Sequence, residues 1–380
     1  MGATHRLSRL RGNALILTNG GLRTSDAKVA HGLIRESNRF KILGIVDSAF
    51  AGRDAGELLD GRKRGIPVYV DMDAALAAVG IPDVAIIGVA VSGGRLPDTW
   101  INLLLDVVNR GISVVNSMHQ RLSAHPEISA AAARSGAEIF DVRRPRNQEE
   151  LHFWSGRIFD VETPRIAVLG TDCALGKRTT CRLILELCRR SGLAAEMIYT
   201  GQTGWMQGSE YGFILDATLN DYVSGELEWA ILECQQNASP DLMLIEGQSG
   251  LRNPSGPCGS ELIISADARG VILQHAPFRI HYEDQAHIGT RLPDLESEIE
   301  LIRLYGADVL AVTLNRTGGT KHELKAVERG LEKTLGLPVL DPLDAGRLQR
   351  LLPVIEKFRR DYPQLGPVTR RDRPSSGGTR

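Results

Sequence analysis

Long apolar runs are missing from this sequence, and none approaches the roughly 20 residues that a membrane-spanning helix requires. An excess of either charge is missing too. The 45 lysines and arginines nearly balance 46 aspartates and glutamates, giving a net charge of −1 and a pI near 6.8. Overall charge therefore favours neither a nucleic acid nor a membrane surface as partner. Cysteine is scarce, with five residues (Cys173, Cys181, Cys188, Cys234 and Cys258) that are odd in number and scattered. That spacing fits neither a disulfide framework nor a zinc site, so reduced thiols are expected. Residues 1–11 carry basic side chains but no apolar stretch, so no secretory signal is expected and the cytoplasm is the expected compartment. Neither a repeat of solenoid length nor the dinucleotide fingerprint Gly-x-Gly-x-x-Gly occurs.

The composition that is present is ordinary for a globular protein, 42% hydrophobic and 24% charged, in a chain of 380 residues that is too long for one core. Strand-like runs over 13–19, 41–47, 66–70, 83–89, 112–116 and 137–141 alternate with helix-like stretches near 25–37, 72–79, 98–110 and 127–135. The alternation predicts an α/β domain over 1–150, a Rossmann-like parallel sheet with helices on both faces. Asp47 ends the second strand, where such domains often hold a ribose hydroxyl. Ser92-Gly93-Gly94-Arg95 follows another strand end, where open sheets take ligands, although a tight strand-to-helix connection accounts for it equally well. Residues 142–164 break the alternation, charged at first, aromatic in the middle and bounded by prolines. A linker is read at 151–163, with Phe153, Trp154 and Phe159 packing against one of the domains. A second domain occupies 164–365. Residues 366–380 are rich in Pro, Gly, Ser and Arg, and a disordered tail is expected there.

The second domain is organised around Gly170-Thr171-Asp172-Cys173-Ala174-Leu175-Gly176-Lys177-Arg178-Thr179-Thr180. The stretch follows a buried strand-like run at 165–169 and opens an amphipathic helix with Leu183, Ile184 and Leu187 at helical spacing. Strand, glycine loop, Gly-Lys and helix make a phosphate-binding loop. Backbone N–H groups converge on an anion, the helix N-terminus adds its positive dipole, and the lysine reaches a phosphate. Further strand-like runs are 195–201, 241–245 running into Glu246-Gly247-Gln248-Ser249-Gly250, 270–275 and 307–314, with helices near 221–237 and 321–335.

Five residues separate Gly170 from Gly176, one more than the usual Walker A count. The loop resembles that of dethiobiotin synthetase and its amidoligase relatives. Glu246-Gly-Gln-Ser-Gly250 is similar to their Glu-Gly-x-x-Gly strand end, and Asn315 stands where their adenine-binding asparagine would. One departure bears on mechanism. The residue after the lysine, whose hydroxyl holds Mg²⁺ in nucleotide-hydrolysing loops, is here Arg178, which cannot ligate a cation. A ligand with phosphates but no phosphoryl transfer, such as coenzyme A, suits this loop. A one-residue shift that gives the Mg²⁺ role to Thr179 is the open alternative.

Over about residues 13–355 the chain resembles a family long catalogued as of unknown function, with a Rossmann-like domain followed by a P-loop domain. The matching motifs are the loop itself, Tyr199-Thr-Gly-Gln-Thr-Gly204, Glu246-Gly-Gln-Ser249 and Gln274-His-Ala-Pro277. One branch of that family is assigned as D-glutamate N-acetyltransferase. The resemblance implies acetyl-CoA as a substrate and an acidic D-amino acid as acceptor. It implies a homo-oligomer acting on small molecules, with Gly170, Thr171, Gly176, Lys177, Arg178, Thr179 and Asn315 binding the cofactor. The alternative is an ATP- and Mg²⁺-dependent ligase or kinase of the dethiobiotin synthetase type.

Acetyl transfer to an amine needs a base, oxyanion donors and cations for the substrate carboxylates. Glu246 is the first candidate base, with a Walker-B-like metal-holding role as its alternative; Asp172 and His275 are further acid–base candidates. Arg252, Arg279 and Arg316 are candidate carboxylate holders. His275, His281 and His287, six residues apart, do not share a face of one helix or strand, so no metal site is expected. Cys173, beside a lysine and a helix N-terminus, leaves an acyl-cysteine route as a lesser option.

Overall fold

The computed structural model describes residues 10–91 and 94–370, which fold as two compact units. The first is built from residues up to 148 together with 202–210, and the second from 149–201 and from 211 onward.

In the first unit, strands and helices alternate as β1 (Gly12–Leu17), α1 (Lys28–Arg35), β2 (Phe40–Val46), α2 (Ala55–Asp60), β3 (Val68–Tyr69), α3 (Met72–Val79), β4 (Val84–Ile87), α4 (Thr99–Asn109), β5 (Ser113–Asn116), α5 (Pro126–Ser135) and β6 (Ile139–Asp141). All neighbours pair in parallel, in the order β3-β2-β1-β4-β5-β6. This is the Rossmann-like α/β fold that the alternation predicts, and the strand order reverses between β1 and β4. Leu15, Leu17, Ala85, Ile87 and Val114 pack beneath Trp100, Leu104 and Val108 of α4 in one core. Asp47 is fully buried and spends its carboxylate on its own neighbourhood: it accepts from Thr18 Oγ1 at 2.6 Å, Leu22 N at 3.0 Å and Ala49 N at 3.0 Å. Ser92 and Gly93 of the second glycine turn lie outside the described residues.

The sequence does not announce that residues 202–210 belong to this unit. The short helix Gln202–Met206 brings Trp205 against Phe40 edge-on, with the Arg39 guanidinium 4.7 Å from the indole centre and its Nε donating to Trp205 O at 2.8 Å. Gln207 Nε2 donates to Gly32 O in the last turn of α1 at 2.9 Å and to Glu36 O just past its end at 3.2 Å.

The second unit holds β7 (Arg165–Gly170), α6 (Lys177–Arg190), β8 (Ala195–Tyr199), β9 (Tyr211–Gly212), α7 (Val223–Ala238), β10 (Leu242–Glu246), α8 (Ser260–Ile264), β11 (Gly270–His275), α9 (Leu295–Leu304), β12 (Asp308–Leu314), α10 (Lys321–Leu335), β13 (Val339–Leu340), α11 (Ala345–Leu348) and α12 (Leu351–Asp361). Its parallel sheet runs β13-β12-β11-β7-β10-β8-β9. The central strands are buried end to end, as a sheet covered on both faces demands. Alternate residues feed two cores. Ala167, Leu169, Met243, Ile245, Val271 and Leu273 face one way, and Ile166, Val168, Leu242, Leu244 and Ile272 the other.

Phe153, Trp154 and Phe159 lie in the second unit. Phe153 meets Tyr222 with the rings tilted by 30° and their centres 4.4 Å apart, and Trp154 meets Phe159 edge-on. Their segment is held to α7 by two buried glutamates, Glu226 accepting from His152 N and Glu228 from Ser155 N and Ile158 N.

The expected tail from 366 is corrected at its start. Val368 is buried, and its N–H donates to Asp267 Oδ1 at 2.8 Å. The same carboxylate holds Arg165 and Arg269 at 2.9 and 2.8 Å, a buried cluster that fixes the last described turn. Residues 371–380 lie outside the described residues. Among the described residues no helix is long and apolar enough to cross a membrane.

Candidate functional site

The loop between β7 and α6 leaves the carboxyl edge of a buried central strand, and its neighbours on either side, β10 and β11, deliver their ends to the same place. Gly247 lets the chain after β10 pass against β7. A Cβ there would lie 2.2 Å from Val168 O, so only glycine fits. Two non-glycine residues hold positive φ in the facing loops, Ala174 (53°) and Ser249 (37°). Cys173 between them donates its thiol to Ser249 Oγ at 3.3 Å. Such backbone strain gathers at ligand sites.

Lys177 is buried and turns its ammonium inward, donating to Asp172 O and Ser249 O at 2.6 Å each. Burial pushes its pKa below the usual lysine value, against the pull of Cys173, Asp172, Cys258 and Glu246. An anion entering the loop meets this cation at the N-terminus of α6.

Glu246, at the last position of β10, is 3% exposed. Burial raises its pKa above the ordinary carboxylate value. The Arg178 charge opposes that rise most strongly, followed by the N–H groups of Thr200 and Gly201 and by Lys177. Thr200 N donates to Glu246 Oε2 at 3.1 Å. Thr200 Oγ1 donates to Glu246 O at 2.7 Å and accepts from Gln248 Nε2 at 2.9 Å. The loop after β8 thus orients this carboxyl, and a guanidinium stands within electrostatic reach of it where related loops carry a metal-binding hydroxyl. Thr180 Oγ1 is spent on Gln274 Oε1 at 2.5 Å, which also accepts from Thr313 Oγ1 at 2.7 Å. Thr179 is half-buried.

Asp172 is fully buried and serves as a hub. Its Oδ1 accepts from Asn253 Nδ2 at 2.8 Å, and its Oδ2 from Arg279 at 2.7 Å and Glu283 N at 2.8 Å. Arg279 also donates to Cys173 O at 2.8 Å and pairs with Glu283 at 2.7 Å, so its fork is occupied by the protein. Arg252 is likewise engaged, with Nε on Glu298 Oε2 at 2.6 Å and NH2 on Ser297 Oγ at 2.7 Å. Arg316, just past β12, is exposed and forms no salt bridge among the described residues. It adjoins Asn315, whose Nδ2 donates to Leu175 O of the loop at 2.8 Å. His275 ends β11 and shares a 3.1 Å hydrogen bond with Thr171 Oγ1. Burial lowers its pKa to about 4, so the ring is neutral near pH 7.

The structure therefore gathers Thr171, Asp172, Lys177, Arg178, Glu246, His275, Arg279 and Asn315 around one loop, and leaves Arg252 tied to α9. Reading from the chain alone missed Thr200, Gln248, Asn253 and Glu283. Thr200 and Gln248 lie inside the two motifs quoted above, which is the signal that finds them. All five cysteines are free thiols, and burial raises Cys188 to about 11 and Cys234 to about 12. Among the described residues no group of three His, Cys, Asp or Glu is placed to hold a metal ion.

Sheet order and loop chemistry together define a two-part α/β protein, Rossmann-like first and P-loop second. Family models match both parts: the Rossmann-like domain of unknown function DUF1611_N over residues 48–145 and the P-loop domain of unknown function DUF1611_C over 152–352. The chain belongs to the DUF1611 family. It is similar to a D-glutamate N-acetyltransferase of a Pseudoalteromonas species, 25% identical over 273 residues, covering 69% of this chain and 78% of that one. A D-glutamate N-acetyltransferase of Tritonibacter scottomollicae is 28% identical over 272 residues, covering 69% and 79%. The crystal structure of a DUF1611 family protein from Anabaena variabilis superposes with a TM-score of 0.81 at 27% identity, covering 91% of this chain and all of that one.

Proposed function

We propose that this protein is an N-acetyltransferase that moves the acetyl group of acetyl-CoA to the amino group of an acidic D-amino acid, D-glutamate in the first instance. The acceptor follows the function named for the two relatives. The observation that carries the chemistry is Glu246, a buried carboxyl with a raised pKa, oriented by Thr200 and faced by Arg178. A base for an ammonium works best when its pKa approaches the working pH.

Glu246 takes a proton from the substrate ammonium. The freed amine attacks the thioester carbonyl, and the oxyanion is met by backbone N–H groups that the CoA phosphates do not engage. Collapse expels the CoA thiolate, which takes the proton held by Glu246, and the acylated nitrogen then gives its second proton to the freed Glu246 carboxylate, leaving the neutral amide. Loop N–H groups, Lys177 and Arg178 hold the CoA phosphates, and Arg316 pairs with the substrate's side-chain carboxylate. Asp172, with both carboxylate oxygens hydrogen-bonded to the protein, positions the loop rather than moving protons.

The ATP- and Mg²⁺-dependent reading has one observation in its favour, the Thr179 hydroxyl, which Gln274 does not claim. Incubation with D-glutamate and acetyl-CoA, or with D-glutamate and ATP·Mg²⁺, separates the two. Thiol release that depends on D-glutamate is expected; ADP formation without thiol would overturn the proposal.

A further inference from the structure

We infer that the His275 imidazole is a further catalytic group, a neutral donor whose Nε2–H meets the oxyanion formed when the amine adds to the thioester. This inference deepens the acetyl-transfer reading and rests on it. His275 ends β11, which pairs with β7, the strand that opens the phosphate-binding loop. Neighbouring strands lie about 4.8 Å apart, and the register sets Gln274 beside Gly170, so His275 stands level with the start of the loop. Glu246 ends β10 on the other flank of β7, which puts the base and this ring on opposite sides of the loop.

The strand end is held rigidly. Thr171 N donates to Gln274 O at 3.0 Å, and Asn315 N donates to His275 O at 2.7 Å. The Gln274 side chain accepts from the Thr180 and Thr313 hydroxyls. The tautomer of the ring follows from the Thr171 hydroxyl. Thr171 is 1% exposed, and its Oγ1 has one hydrogen-bond partner among the described residues, His275 Nδ1 at 3.1 Å. A buried hydroxyl gives its proton to the acceptor within reach, so Thr171 donates to Nδ1. In the neutral ring the hydrogen then sits on Nε2. His275 is partly exposed, its Nε2 forms no hydrogen bond among the described residues, and that atom is not sealed from solvent. A donor of fixed direction is thus left open to a ligand.

The surroundings favour a donor over a proton carrier. Burial alone lowers the pKa of the ring, with no carboxylate pulling the other way as in a relay pair. Asp172, next to Thr171 in the chain, is taken by Asn253, Arg279 and Glu283 N. Phosphates in the loop already meet Lys177, Arg178 and the start of α6. A neutral, preoriented N–H contributes most where negative charge exists only in the transition state.

Steady-state CoA release by the full chain tests this in wild type, His275→Ala and His275→Gln, whose amide N–H can take the place of Nε2–H. His275→Ala is expected to lower kcat by about 10²–10³-fold while KM for acetyl-CoA changes less than about threefold. His275→Gln should recover at least about tenfold of that loss and keep the shape of the wild-type pH profile. An unchanged kcat in His275→Ala overturns the inference. So does a loss confined to KM, which makes the ring a substrate holder, and so does a His275→Gln as slow as His275→Ala whose profile has lost a limb, which makes it a proton carrier. Two-bond ¹H–¹⁵N spectra give a readout without turnover. The Nε2–H tautomer is expected in wild type and Thr171→Ser and is disturbed in Thr171→Val; an Nδ1–H ring overturns the inference. A wild type that releases no CoA refutes the acetyl-transfer reading and this assignment with it, whereas an active wild type matched by His275→Ala refutes the assignment alone.

Discussion

Asp172→Asn separates a structural hub from a catalytic acid. The amide is isosteric, and its one carbonyl oxygen can keep Arg279 and Glu283 N. Its NH₂ then points at Asn253 Nδ2, donor against donor. Asn253 cannot turn over to relieve this, because its Oδ1 already accepts from Ser255 N at 3.0 Å, Ser255 Oγ at 2.8 Å and Gln285 Nε2 at 3.3 Å. The variant therefore loses a charge-assisted bond, about 1.5–3 kcal/mol, and leaves a buried donor unpaired, about 1–3 kcal/mol. The expected loss of about 3–5 kcal/mol matches the usual cost of removing one partner from a buried ion pair. For a domain of this size it lowers the unfolding midpoint by roughly 10 °C, read by scanning calorimetry. Arg279→Ala combined with Asp172→Asn should be clearly non-additive, since the two share one bond. Below the transition, kcat should fall less than about tenfold, whereas removing a catalytic proton carrier costs about 10²–10⁴-fold. A stability change under about 1 kcal/mol, or a kcat loss in the catalytic range with an unchanged midpoint, refutes the assignment of Asp172 as a hub.

Glu246→Gln is expected to lower kcat by about 10²–10⁴-fold with little change in KM for acetyl-CoA, while Lys177→Ala chiefly raises that KM. Because the folded state holds the Glu246 proton more tightly than the unfolded chain, ionising this residue destabilises the fold as pH rises through its raised pKa. Glu246→Gln should therefore be more stable than wild type near pH 8, with the gain vanishing in acid; urea midpoints across pH check it. His275 has the opposite sign. Its folded pKa of about 4 lies below the ordinary 6.5, so the stability it contributes is present above pH 6.5 and lost as pH falls toward 4. The loss is about 3 kcal/mol at 1.36 kcal/mol per pH unit, and it should be absent in His275→Asn.

Much of the fold was legible because its signals are local. The alternation of apolar runs gave both sheets, and Gly176-Lys177 after a buried run gave the loop. The helix read near 321–335 is the one observed, closed at its start by a capping box between Thr320 and Glu323. What was not legible lies far apart in the chain. The partners of Asp172 stand 81, 107 and 111 residues away, so nothing near it distinguishes a hub from a proton carrier. Arg279 read as a carboxylate holder because Asp172 and Cys173 O arrive only with the fold, although a third partner, Glu283, stands four residues on. The placement of 202–210 in the first unit depends on Trp205 finding Phe40 and Arg39, a tertiary event with no local signature. Val368 was hidden by a Pro- and Gly-rich composition, and its place in the apolar core together with the bond to the buried Asp267 explains its order.

The central claim is that this P-loop serves acetyl transfer with Arg178 where a metal-binding hydroxyl would stand. The most direct test supplies D-glutamate and acetyl-CoA labelled with ¹³C in the acetyl group, in excess chelator, and follows the label by mass spectrometry. The account predicts labelled N-acetyl-D-glutamate and free CoA in equal amounts, at a rate that added Mg²⁺ does not raise. Product only when ATP and Mg²⁺ are present, accompanied by ADP, would contradict it.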